Sequence, residues 1–266
     1  MLHGTRKVAA VFTQRHFDEY ARLSGDDNPI HVDPAFAAGT RFGRTVAHGM
    51  FLFSTLQAAL AGHDAAPVRL RSQSFVFRAP TFTGDALLLG FDSDDGVTVG
   101  EKVTDSDGQV TTTGVAVVGE PSGSSPGDFD LKPSGAFKGL EVGMTAGRTK
   151  HFTRADVADF VNLVRDPNPL FTGASPEMPP GLLAGMESWV LGVDLPGRGT
   201  NWLKQTFEYH YPVIVPATVT CTVTVTRIRA DKGLVNLATR GTVDDRTVVS
   251  GEALVLATDI ADPSPA

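Results

Sequence analysis

Asp26-Asp27-Asn28-Pro29-Ile30-His31 returns as Asp166-Pro167-Asn168-Pro169-Leu170-Phe171, and Phe12-Thr13 returns as Phe152-Thr153, all at an offset of 140. Register therefore holds over the whole stretch, and an internal repeat of this length governs how everything else is read. Ala47-His48-Gly49-Met50 is echoed by Leu183-Ala184-Gly185-Met186 at an offset of 136. Gln73-Ser74-Phe75-Val76-Phe77 is echoed by Gln205-Thr206-Phe207-Glu208-Tyr209 at 132, where Pro80 also meets Pro212. Offsets that fall stepwise are what short deletions in one copy produce. The chain reads as two homologous halves.

Its 266 residues exceed the usual single-domain size, so two units sharing a buried seam are expected. The stretch from Gly119 to Asp128 is rich in glycine, serine and proline without apolar periodicity, as an exposed linker would be. The expected organisation is an N-terminal domain 1–120, a linker 121–138 and a C-terminal domain 139–259, with a fraying tail after Asp259. Each half opens with a short helix that Thr13 or Thr153 can cap, followed by an Asn-Pro loop. In the first half a nearly uncharged helix then runs from about Gly49 to Ala61, with Phe53, Leu56 and Leu60 at helical spacing, and must be buried. Three strands follow, Ala86–Phe91, Val97–Val103 and Val110–Val118, broken by Asp95-Gly96 and Asp107-Gly108 hairpin signals. The second half repeats the meander at Thr218–Ile228, Leu234–Thr242 and Thr247–Ala257. A buried helix followed by an antiparallel meander defines an α+β unit whose sheet wraps the helix.

A net charge of −7 argues against a nucleic-acid partner. No apolar run reaches the roughly 20 residues of a membrane-spanning helix. Residues Met1 to Lys7 lack the apolar run of a secretory signal, and one cysteine forms no internal disulfide, which fits a reducing cytoplasm. Cys221 alternates with Val219, Val223 and Val225 on a strand face and is read as a core thiol. Nothing points to a metal or another cofactor.

The Asp26-to-His31 segment, with Val32-Asp33, Phe36-Ala37-Ala38, Arg41-Phe42-Gly43 and Val46-Ala47-His48-Gly49-Met50, resembles the hydratase motif of the MaoC-like (R)-specific enoyl-thioester hydratase/dehydratase family. The resemblance is dense from Phe12 to about Asp85. It implies a double hotdog, each half a long helix wrapped by an antiparallel sheet. It also implies a lyase that hydrates 2-enoyl, or dehydrates (R)-3-hydroxyacyl, thioesters of coenzyme A or an acyl carrier protein. Asp26 and His31 would hold the reacting water, His31 as base and Asp26 as the source of the C2 proton. An imidazole of ordinary pKa about 6.5 works in both directions near neutrality. Gly49, opening the buried helix, would donate its N–H to the thioester oxygen at the positive end of the helix dipole. Asn28 would bond the loop backbone beside the substrate. His48 is read as a buried, hydrogen-bonded structural histidine, and His16 and His63 as surface residues.

The pattern departs from the family in two places. A small hydroxyl residue is expected eight positions after the glycine, to orient the aspartate; Gln57 stands there, with Ser54 one turn earlier. The second half has Phe171 in place of His31 and Ala184 in place of His48, and a phenyl ring carries no proton. That half is expected to supply walls, with Phe171 and Trp189 lining room for an acyl chain. Tandem peroxisomal relatives usually carry the working half second, the opposite order. Docking an anionic carrier would need a local basic patch, for which Arg41, Arg44, Arg69, Arg71 and Arg78 are candidates. The resemblance also admits a homodimer of double hotdogs. Thioester hydrolysis, conjugate addition of another nucleophile, and a non-catalytic acyl-carrier module are the competing readings.

Overall fold

The computed structural model describes residues 3–62 and 67–261; His63 and residues 262–266 of the tail lie outside them. The first half runs β1 (Gly4–Val11), α1 (Gln14–Ser24), α2 (Pro29–Val32), α3 (Pro34–Ala38), α4 (Gly49–Ala61), β2 (Leu70–Phe77), β3 (Ala86–Ser93), β4 (Thr98–Thr104) and β5 (Val110–Val118). The second runs β6 (Thr145–Phe152), α5 (Arg154–Val164), a 3₁₀ turn at Pro169–Phe171, α6 (Pro180–Trp189), a π-helical turn at Val190–Asp194, β7 (Asn201–Tyr209), β8 (Ala217–Arg229), β9 (Leu234–Val243) and β10 (Arg246–Leu256). Capping behaves as the sequence suggests at α5, where Thr153 Oγ1 accepts from the Asp156 N–H at 3.2 Å and Asp156 returns a carboxylate to the Thr153 N–H. At α1 the reciprocal partner is His16, whose Nδ1 accepts from the Thr13 N–H at 3.0 Å. His16 is thus a half-buried cap, not a free surface residue.

All ten strands form one antiparallel sheet in the order β1-β3-β4-β5-β2-β7-β10-β9-β8-β6. Each half contributes the same internal order, and the halves join where β2 pairs with β7. Ser74 sits opposite its own repeat partner Thr206, while Gln73 meets Phe207 and Phe75 meets Gln205. A strand paired with its copy about their common midpoint defines a pseudo-twofold axis. The sheet curls around α4 and α6, which are buried nearly all round and lie against each other, giving the expected double hotdog. Glycine allows this close approach: a Cβ on Gly185 would stand 2.7 Å from Ser24 Cβ, and one on Gly181 would run into Ser54.

The three-stranded meanders appear within a few residues of their expected bounds, but each half has two further strands. β1 and β6 are edges with many exposed residues. β2 and β7 are hidden in the sequence because polar Gln73 and Gln205 occupy buried positions that would otherwise complete an apolar alternation. Residues 119–136 carry no helix or strand, yet they are tied to the second half: the Ser122 and Gly123 N–H groups donate to Tyr209 O and His210 O, both at 3.0 Å, and the Lys132 N–H donates to Thr226 O at 2.9 Å.

The repeat register needs one correction. The helix matching α4 begins at Pro180, with Pro179 in the N-cap position that His48 holds for α4, so Gly49 corresponds to Pro180 and not to Gly185. The 136-residue echo is a coincidence of small residues. The second half therefore lacks an equivalent of α3, and its path from Phe171 to the helix spans 9 positions where His31 to Gly49 spans 18. Proline has no N–H, so the second half has also lost its helix-end donor.

The seam buries two carboxylic acids. Glu101 Oε2 accepts from Gln73 Nε2 at 2.7 Å, and its pseudo-symmetric counterpart is the contact of Gln205 Nε2 with Thr239 Oγ1 at 3.4 Å. Burial pushes Glu101 up to about 8, the Gln73 bond offsetting part of this. Burial also pushes Glu187 up to about 8, opposed in part by Thr239. Both are neutral acids at pH 7. The folded chain keeps protons that the unfolded chain releases above about 4.5, so stability falls as pH rises through that window and is lowest above about 8. Between pH 7 and 9 the melting temperature should drop, and Glu101→Gln and Glu187→Gln should each flatten the drop and gain a few kcal/mol at pH 9. An equally steep decline in both variants would contradict this assignment.

Candidate active site

α1 stops at Gly25, whose φ of +95° and lack of a side chain are both required, since a Cβ would press on the Trp189 ring at 2.6 Å. The chain turns directly into Asp26, which is 1 % exposed. Asp26 Oδ1 receives the Asn28 N–H at 3.4 Å, and Oδ2 receives the Ser188 hydroxyl of α6 at 2.5 Å. Asn28 caps α2 by accepting the Ile30 N–H at 3.3 Å, Pro29 occupies the first helical position, and Asn28 Nδ2 donates across the seam to Gly192 O at 3.0 Å. One short turn later His31 is aimed at the same space, its backbone carbonyl accepting from Gln14 Nε2 at 2.9 Å.

Hydrogen bonding fixes the histidine tautomers. His31 Nδ1 lies 2.7 Å from Val46 O, and a carbonyl only accepts, so Nδ1 carries the proton and Nε2 keeps a bare lone pair. His48 Nε2 likewise donates to Asp26 O at 2.9 Å, leaving Nδ1 buried and without a partner among the described residues. The two rings stack with centroids 3.9 Å apart. Burial lowers the His31 pKa below its ordinary value, with the Asp26 charge and the Val46 carbonyl opposing. His48 is lowered much further, by burial and then by His31. Both rings are neutral at pH 7. Asp26, His31 and His48 each bring a ligand atom within 4.8 Å of the others.

Gly49 starts α4 with no side-chain cap from His48, and its N–H has no hydrogen-bond partner among the described residues. Phe77 stands 3.0 Å from where a Cβ would be, so glycine keeps this helix end open. Asp26, His31, His48, Gly49 and Ser188 all line one cavity of about 800 Å³. It combines a carboxylate, an unprotonated imidazole nitrogen and an unpaired N–H at a positive helix end, which suits acid–base chemistry on a substrate that develops negative charge on oxygen.

Of the residues expected here, Asp26, His31, Gly49 and Asn28 come together, while Gln57, Phe171 and Trp189 are not among the cavity's lining. Phe171 is buried in the core. Trp189 packs on Gly25 beneath the Arg148 guanidinium, 5.0 Å from the ring centroid. The second half does wall the cavity, but with Ser188, Leu191, Trp202, Leu203 and Leu256. Ser188 stands eight positions after Pro180, as Gln57 does after Gly49, so the orienting hydroxyl arrives from the partner half at the equivalent helix position. The same symmetry assigns Gln57 to the Asp166 loop, where burial pushes Asp166 up to about 6. Among the candidate arginines, Arg41 and Arg78 line the cavity. Arg44 is paired with Asp85, Arg69 with Glu120 and Glu177, and Arg71 donates to Glu120 O. Arg198, between two glycines, also lines the cavity, and no sequence pattern marked it.

Comparison with known proteins finds relatives of the first half by sequence and of the whole chain by fold. The family model of the MaoC like domain matches residues 4–116. The chain is 39 % identical over 126 residues to an (R)-specific enoyl-CoA hydratase of Aeromonas caviae, covering 44 % of this chain and 94 % of that protein. It is 34 % identical over 128 residues to a 3-hydroxybutyryl-CoA dehydratase of Methylorubrum extorquens, covering 45 % and 82 %. A double-hotdog protein of Mycobacterium tuberculosis superposes with a TM-score of 0.73 over 96 % of each chain at 12 % identity, a likeness of fold. A repeated helix-in-sheet architecture, a first half aligned along nearly the whole length of the Aeromonas hydratase and the Asp-x-Asn-Pro-x-His loop together place this chain in the MaoC-like hydratase/dehydratase family.

Proposed function

We propose that this chain is a lyase that reversibly adds water to a 2-enoyl thioester of coenzyme A or an acyl carrier protein, forming the (R)-3-hydroxyacyl thioester. The observation that carries the reading is the fixed tautomer of His31: Nε2 is unprotonated in the same cavity as a carboxylate anchored by Ser188 and the free Gly49 N–H. Water held between Asp26 and His31 loses a proton to His31 Nε2 as its oxygen bonds to C3. Electron density moves onto the thioester oxygen, where the Gly49 N–H and the α4 dipole receive it, a contact of about 3 to 4 kcal/mol in comparable sites. The proton passes from the imidazolium to Asp26 and from Asp26 to C2, which restores both groups. Dehydration runs the same steps backward. The names of the Aeromonas and Methylorubrum relatives, a hydratase and a dehydratase of CoA thioesters, support this assignment.

Gln57 stands where the family pattern has a hydroxyl, and Ser188 of the other half supplies a hydroxyl to Asp26, which supports the reading of water as the nucleophile. The test is to follow loss of the conjugated double bond and release of free thiol in parallel on crotonyl and longer enoyl thioesters. Hydration predicts the first without the second, and hydrolysis the reverse. Chain-length preference should respond to Trp202→Ala by about tenfold in relative kcat/KM, whereas Phe171→Ala should leave the preference in place, because only Trp202 faces the cavity. Equal shifts in both variants would contradict the assigned wall.

We take the working unit to be domain 1–120 joined through 121–138 to domain 139–259, acting in the cytoplasm, where a reducing environment keeps the buried Cys221 a thiol. No helix among the described residues is long and apolar enough to cross a membrane. A homodimer of double hotdogs is the assembly proposed, and light scattering reads it directly.

A further inference from the structure

Asp26, His31 and His48 share the outer bonding of a metal site. His31 Nδ1 donates to Val46 O at 2.7 Å and His48 Nε2 donates to Asp26 O at 2.9 Å, so each ring presents its other nitrogen as a bare lone pair. A histidine that ligates a metal is held in this way, one N–H fixed on a carbonyl or carboxylate and the second nitrogen left for the ion. Asp26 is anchored likewise, its Oδ2 taking the Ser188 hydroxyl while Oδ1 takes only the Asn28 N–H at 3.4 Å. The reacting water accounts for His31 Nε2 and for the carboxylate, but not for His48 Nδ1. That atom is buried, belongs to a residue lining the same cavity and has no hydrogen-bond partner among the described residues. Among the described residues no other group of three histidine, cysteine or acidic side chains is placed to hold a metal ion.

We propose that Asp26, His31 and His48 form a binding site for a divalent cation of the zinc class, and that the bound ion inhibits the enzyme. The inhibition rests on the hydration reading; the binding does not. Two imidazoles and one carboxylate are the ligand set of open zinc sites, in which the fourth position is left to water. Ligand atoms around a four-coordinate zinc stand about 3.4 Å apart. The three ligand atoms lie within 4.8 Å of one another, and His31, the half-buried member, is the side chain with room to close in. The cavity of about 800 Å³ gives a small ion access to all three. Once bound, the ion takes the His31 lone pair that would accept the water proton and the Asp26 charge that would carry it to C2. Magnesium and calcium select oxygen ligands and gain little from the two nitrogens. The cation is thus a regulator of this site and not a cofactor of the reaction.

Two measurements test this. Calorimetry with zinc chloride should show one equivalent bound to the wild type, weakened at least about tenfold by each of His31→Ala, Asp26→Asn and His48→Gln. Glutamine keeps an N–H donor for Asp26 O but lacks the Nδ1 lone pair, so His48→Gln separates the ligand from the fold, and circular dichroism checks that all three variants are folded. In parallel, zinc should abolish hydration of crotonyl-CoA by the wild type, a chelator should restore it, and magnesium at the same concentration should leave it unchanged. Zinc that does not bind, or that binds equally well to all three variants as an adventitious ion only, overturns the site. Binding that these variants weaken, with hydration undiminished, overturns the inhibition. A wild type that hydrates no enoyl thioester sinks the hydration reading instead, and the calorimetry then decides the cation site alone.

Discussion

His31→Ala and Asp26→Ala should each slow enoyl-thioester hydration by ~10² to 10⁴ while the fold persists. The bond from Nδ1 to Val46 O leaves His31 Nε2 free to accept a proton. His48 does not substitute for it, because its own donor holds the backbone of Asp26 and burial keeps it well below the ordinary histidine range. Circular dichroism and melting temperature should show both variants folded, since the Asn28 cap and the His48 bond to Asp26 O involve neither lost side chain. A pH profile adds an independent check. Hydration requires neutral His31, so the rate should fall on the acid side with an apparent pKa below 6.5, the ordinary value that burial lowers. The Asp26 charge raises the His31 pKa, so Asp26→Asn should move the residual acid limb to still lower pH. A limb that stays put would show that the two groups do not share a site.

Ser188→Ala should lower kcat by about ten- to a hundredfold with little change in KM, because a hydrogen bond to a charged group is worth roughly 1.5 to 3 kcal/mol. The serine touches no substrate in this account; it holds Asp26 Oδ2 at 2.5 Å from a helix of the other half. A residue that merely filled space would alter stability and leave kcat nearly alone, and Ser188→Thr, which keeps the hydroxyl, should recover much of the kcat that Ser188→Ala loses. Gln57→Ala is the informative contrast, with less than about a twofold effect on the same kcat, as its helix position belongs to the degenerate loop. If Gln57→Ala were the damaging change, the crossed assembly of the site would be wrong.

Much of this was legible in the sequence because loop chemistry is local. Asp26, Asn28, Pro29 and His31 lie within six residues, and proline, capping asparagine and a one-turn helix determine where they point. The α4 helix and both meanders followed from apolar periodicity for the same reason. What escaped depends on long-range pairing. Ser188 and Asp26 are 162 positions apart, and their contact follows from the pseudo-twofold between β2 and β7, two strands whose buried glutamines mask the alternation that would have revealed them. In α6, Ala184-Gly185-Met186 looks like a copy of a helix start, but Gly185 serves close contact with Ser24 and Tyr20 of α1 instead. Phe171 and Trp189 have the size and apolarity of acyl-chain walls, yet burial against the core and against Gly25 already accounts for them.

Hydration of crotonyl-CoA in heavy water tests the central claim most directly, with the configuration at C3 and the deuterium content at C2 read from the product. A single water gripped between Asp26 and His31 predicts (R)-3-hydroxybutyryl-CoA with one solvent deuteron at C2 and the thioester intact. Free thiol with the double bond retained, or a product of mixed configuration, would contradict it.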